Sequence, residues 1–179
     1  AMCLSLVGSE MCIRDRPPIV ARGIILDMTD HFDVEYLEAG QSFSVKDVKA
    51  IAKKQGTPIQ EGDVVIFHTG WIDAKFETDP ILWVSSEPGQ SPEVARYLAS
   101  KGVVAVGADT SGLDVVPPEN PNEPYQGHVI LLKENGIYIL ESMNTGPLVK
   151  DGVLEFLFVL GQAKVKGAVQ MIINPIAIN

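Results

Sequence analysis

Two side chains able to do chemistry together share one short stretch, an imidazole at His128 and a carboxylate at Glu141. A ring nitrogen and a carboxylate oxygen are donors that suit several divalent ions. They also hydrogen-bond readily to one another. Burying an isolated ionised carboxylate costs roughly several kcal/mol unless something positive pairs with it. The pair therefore reads in two ways, as a satisfied structural His/Glu contact or as two ligands of one metal, and residue types alone leave both open.

The elements that must position this pair follow from the residues between them. The run Val129 to Leu132 is apolar and Lys133, Glu134 and Asn135 are polar, which predicts a short helix. Gly136 stands where a helix C-terminus favours a residue free to take positive φ. Ile137 to Leu140 is β-branched and aromatic, the pattern of a short strand covered on both faces. Glu141 then lands at the strand's C-terminal end, where ligand crevices form in open α/β sheets.

The same unit of helix, glycine and buried strand recurs upstream. Ile24-Ile25-Leu26 ends at Asp27 and leads into a polar connection containing His31. Ser44, with Asp47 three residues on, caps a helix with Val45, Val48 and Ile51 inward and Gly56 as its stop. Gly62-Asp63 turns into Val64 to Phe67, which delivers His68 and Thr69. Asp79 to Gly89 reads as irregular. Ser91-Pro92-Glu93 starts a helix with Val94, Ala95, Leu98 and Ala99 inward, closed by Lys101-Gly102. Val103 to Val106 is the next strand, delivering Asp109 and Thr110. Residues 111–126, with Pro117, Pro118, Pro121 and Pro124, predict a surface loop long enough to be a functional lid. After Glu141, the runs 155–160 and 168–178 predict strands, the last on an edge because of Pro175. Polar groups converging at several strand ends are better evidence for a site than any one of them.

The totals bound the function. A chain of 179 residues, 46% hydrophobic, suits one domain with a substantial core. No apolar run is long enough to cross a bilayer as a helix. The net charge of −9 argues against nucleic acid or an anionic membrane as the main partner. Cys3 and Cys12 lie in the first twelve residues and the body has no cysteine, which removes a disulfide framework or a thiolate metal site there. Cytoplasm is the expected compartment. Residues 1–16 have no sustained period and resemble the translation of a sequencing-adapter read-through. They are expected to be a non-native or disordered leader, with 17–179 the folded domain.

From about Arg22 to Ile178 the chain resembles the cyclase family of metal-dependent hydrolases, which includes bacterial kynurenine formamidases and isatin hydrolases. The residues carrying the likeness are Glu61-Gly62-Asp63-Val64-Val65 with His68-Thr69-Gly70-Trp71, Val106 to Thr110, His128 with Leu131-Leu132, Gly136-Ile137 and Glu141, and Asn174 to Ile178. The resemblance implies an α/β fold of the swivelling β/β/α type, a mixed central sheet flanked by helices, here incomplete at the N-terminus. It implies a homodimer with zinc or manganese, hydrolysing a small-molecule formamide or cyclic amide of the N-formylkynurenine or isatin kind, with tryptophan catabolism as the expected setting.

His128 and Glu141 fall where the family places two metal ligands. His128 would bind through a neutral ring nitrogen with its other nitrogen held by an acceptor behind it. Trp71 is a candidate aromatic wall for a ring-bearing substrate, or a core residue. Asp109 would orient His128 or a water, or serve as a cap or turn residue, and Thr110 lies beside it as a candidate substrate contact. The family's first ligand run, His-x-Gly-Thr-His-x-Asp-x-Pro, has no counterpart here, so no catalytic residue is identifiable. His68 belongs to the Thr-Gly-Trp turn, and His31 reads as a solvated loop residue. The alternative function is a catalytically silent fragment or pseudoenzyme of the same fold.

Overall fold

The computed structural model describes residues 17–179; the leader and both cysteines lie outside them. Six strands form one mixed sheet: β1 (Ile19–Asp27), β3 (Val64–His68), β5 (Ala105–Ala108), β6 (Tyr138–Leu140), β7 (Glu155–Leu160) and β8 (Ile176–Ile178), with the order β6-β5-β3-β1-β7-β8. The first four are mutually parallel, while β7 runs antiparallel to β1 and β8 antiparallel to β7. A second ribbon pairs β2 (Ser42–Phe43) with β4 (Gly89–Gln90). The expected mixed sheet flanked by helices is present.

Both faces of the parallel part are buried, which is why its strands are continuous apolar runs rather than alternating ones. Ile24, Leu26, Val65, Phe67 and Val106 face one cluster, together with Val48 and Ile51 of α2 (Val45–Gln55) and Val94, Ala95 and Leu98 of α5 (Pro92–Ser100). Ile25, Val64, Ile66 and Ala105 face the other, with Phe156 and Phe158 of β7, and Leu148 and Val149 of α7 (Gly146–Lys150) against it. The period of two in each strand sorts neighbours to opposite faces. Ser44 and Asp47 form the expected capping box at α2, and Gly56 ends it in the left-handed region.

Four local expectations need correction. The stretch 79–89 is not irregular: Pro80–Ser85 is a helix, α4, whose start is capped by Asp79 accepting from the Leu82 N–H at 3.0 Å. The third parallel strand begins at Ala105, because its register pairs Ala105 with the first residue of β3. The last strand covers only Ile176–Ile178, which pair with Leu157 to Val159; Pro175 does precede an edge strand. His31 lies in α1 (Met28–Phe32), its Nε2 3.0 Å from Asp47 Oδ1, so it is paired rather than solvated.

The register carries the functional consequence. Asp27 pairs with His68, Phe67 with Ala108 and Gly107 with Leu140. The residues that follow, Thr69, Asp109 and Glu141, therefore line one edge of the sheet.

Candidate metal centre

His128 and Glu141 meet. Tyr125, in the left-handed region at φ 56°, turns the chain into α6 (Gln126–His128), which continues as a π-helical turn over Val129–Glu134. Ile130 and Leu131 anchor that turn in the core, and Gly136 leaves it at φ 65° as expected. β6 then carries Glu141 back beneath the histidine, with His128 Nε2 3.2 Å from Glu141 Oε1. Both side chains remain partly open, at 26% and 32% of their surface. On the other side of the ring, Nδ1 is 3.0 Å from Asp114 Oδ2. Burial pulls the His128 pKa down, but hydrogen bonds with Asp114 and Glu141, reinforced by their charges, outweigh it and hold the ring up at about 9.

The loop after β5 also brings in Glu87. This carboxylate is buried and accepts from the Ser111 N–H (2.6 Å), the Ser111 hydroxyl (2.7 Å) and the Gly112 N–H (3.1 Å). Burial pushes its pKa up to about 7; those hydrogen bonds resist the rise and the charge of Glu141 adds to it. Sequence reasoning treated residues 111–126 as a surface lid, yet Leu113, Asp114 and Val115 are buried. The signal was an aspartate between a leucine and two valines, a hydrophobic context that a solvated loop does not need.

The other candidates lie elsewhere. Trp71 is fully buried and its indole N–H donates to the Trp83 carbonyl at 3.3 Å, so it is core and not an aromatic wall. Asp109 does not orient His128. It is fully buried and accepts from the Thr69 N–H (2.9 Å) and hydroxyl (2.6 Å), with His68 Nδ1 3.6 Å away. Thr110 is fully buried too; its hydroxyl accepts from the Leu113 N–H at 3.2 Å, which shapes the loop that carries Asp114. His68 points to the Thr145 hydroxyl at 2.7 Å, as part of the interior.

One imidazole nitrogen and one carboxylate within hydrogen-bond distance, backed by a second carboxylate, match the donor chemistry of a divalent metal site. They fit as two donors. Among the described residues no group of three or more His, Cys, Asp or Glu side chains stands close enough to hold an ion, short of the about three protein ligands plus a water that a catalytic zinc wants.

Comparison with known proteins decides the kinship. The sequence model of the Cyclase family matches residues 9–115. The chain belongs to the Cyclase family. Among solved structures, it superposes on the crystal structure of a novel cyclase with a TM-score of 0.76 at 25% identity, covering 89% of this chain and 54% of that one. An isatin hydrolase bound to the product analogue thioisatinate matches at 0.70 and 18% identity, over 88% and 59%. A potential metal-dependent hydrolase with cyclase activity matches at 0.59 and 22%, over 88% and 64%. The chain thus spans between 54% and 64% of the length of these neighbours, and the latter two share the fold. A search of curated protein sequences finds no match. No helix among the described residues is long and apolar enough to cross a membrane.

Proposed function

We propose that this chain carries two ligands of a metal-dependent hydrolase acting on a formamide or cyclic amide, of the N-formylkynurenine or isatin kind. The observation that supports it is the 3.2 Å approach of His128 Nε2 to Glu141 Oε1 at the sheet edge, with Asp114 behind the ring. When bound, a zinc or manganese ion supplies Lewis acidity toward an amide carbonyl and acidifies water.

The chain's own residues have defined parts. His128 offers a ring nitrogen and Glu141 an oxygen. Asp114 on one side of the His128 ring and Glu141 on the other surround it with negative charge, which favours a cation over an anion. In the functional protein, which we propose is a homodimer, the remaining donors come from outside the described residues. Turnover of N-formylkynurenine or isatin by that protein, abolished by a chelator and by Glu141→Gln, is the expected result. Turnover unchanged by both treatments would overturn the reading.

The second reading is a catalytically silent member of the same fold. It is favoured by the lack of a third donor among the described residues. A His-x-Gly-Thr-His-x-Asp run encoded in frame upstream of Pro17 would favour the first reading, and an upstream sequence without it the second.

A further inference from the structure

Asp114 lies outside the six-stranded sheet, in the loop after β5, yet its carboxylate is fully engaged. Oδ2 accepts from the backbone N–H of His128 at 3.1 Å and faces the ring Nδ1 at 3.0 Å. Oδ1 accepts from the side-chain amide of Gln90 at 3.1 Å. The Asp114 side chain is 8% exposed. Gln90 is itself buried, and its backbone N–H donates to the Leu113 carbonyl at 3.1 Å. The space for this arrangement is made by Gly127. A Cβ at that position would stand 1.8 Å from Asp114 Oδ1 and 2.7 Å from the Gln90 amide nitrogen.

A neutral imidazole has one donor and one acceptor nitrogen, and which is which depends on the hydrogen bond the ring makes. At His128 two carboxylates compete, Asp114 at Nδ1 and Glu141 at Nε2. Asp114 has the advantage of geometry. The same oxygen that faces the ring also holds the backbone of residue 128, so ring and main chain are tethered together. Both oxygens of Asp114 are spent inside the protein, so it acts through the histidine and not as a donor to a cation.

We propose that Asp114, set in place by Gln90 and by the absent side chain of Gly127, is the positioning residue that turns Nδ1–H of His128 inward and presents Nε2 alone to Glu141 and a divalent cation. This rests on the metal reading, and it adds the residue that fixes the ligand's tautomer.

The test has two readouts on the 179-residue chain. The first is 15N NMR of the His128 ring with no metal added, at a pH alkaline enough for the ring to be neutral. Wild type is expected to show protonated Nδ1 and bare Nε2. Asp114→Asn is expected to lose that preference, while Gln90→Leu weakens it. The second is calorimetric titration with zinc chloride, in which Asp114→Asn weakens binding about 10- to 100-fold. Wild type with the proton on Nε2 overturns the inference, and so does Asp114→Asn with unaltered tautomer and affinity. If Asp114→Asn does not fold, the wild-type tautomer decides. Wild type that takes up no zinc counts against the metal reading, while the ring spectrum still judges the positioning role.

Discussion

Two histidine–carboxylate clusters sit on the same edge of the same sheet, and they are built for different ends. At the end of β3, His68 reaches the Thr145 hydroxyl at 2.7 Å, and Asp109 beside it is sealed, its Oδ1 spent on Thr69 and its Oδ2 without a hydrogen-bond partner. Burial drives the Asp109 pKa up, opposed by the nearby His68. At the end of β6, His128 and Glu141 keep about a quarter to a third of their surface open, and the histidine is the group held up. The difference teaches that residue types do not separate a structural pair from a ligand pair. Access to solvent and the partners behind each group do.

The largest expected effect tests the sealed cluster. Asp109→Ala leaves the Thr69 N–H and hydroxyl without an acceptor in the interior and should cost about 3 kcal/mol, read as a lower denaturant midpoint, with zinc affinity unchanged. Loss of zinc binding at full stability would reverse the roles assigned to the two clusters. Next comes Gly127→Ala, which drives a methyl group into Asp114. It should cost about 2 kcal/mol from overpacking and weaken zinc binding as well, whereas a variant as stable and as tightly binding as wild type would show that the Asp114 contact is dispensable.

The remaining effects are in pH dependence. Glu87 is raised from 4.5 to about 7 and His128 from 6.5 to about 9. Each folded-state value lies above the unfolded one, so each contributes stability that is complete at acid pH and lost as pH rises. The Glu87 contribution is present below 4.5 and is lost through about 7; that of His128 is present below 6.5 and is lost through about 9. Glu87→Gln should flatten the first window in urea unfolding series and leave the second, and His128→Gln should do the converse. Identical slopes in both variants and wild type would contradict the assignment.

How much of this was legible in the sequence follows from which interactions are local. The α2 cap, the Gly136 exit and the buried strands depend on neighbours within a few residues, and they read correctly from residue types. The helix at Pro80–Ser85 was also written locally, in an aspartate followed by a proline, but the stretch reads as irregular until its cap is seen. The meeting of His128 and Glu141 was legible because the chain between them is a single short helical turn and strand. Asp114, Gln90 and Glu87 were not, because their partners lie across loops whose path no periodicity encodes. Trp71 reads from sequence as either a substrate wall or a core residue, and only the tertiary fold, which places the Trp83 carbonyl of α4 on its indole, puts it in the core.

The central claim is that His128 and Glu141 bind one divalent cation together, and titration of the metal-free chain with zinc or manganese tests it most directly. The account predicts one ion bound per chain, with the uptake lost in both His128→Ala and Glu141→Gln while each variant still unfolds cooperatively. Absence of uptake by wild type, or uptake that survives both substitutions, would contradict it.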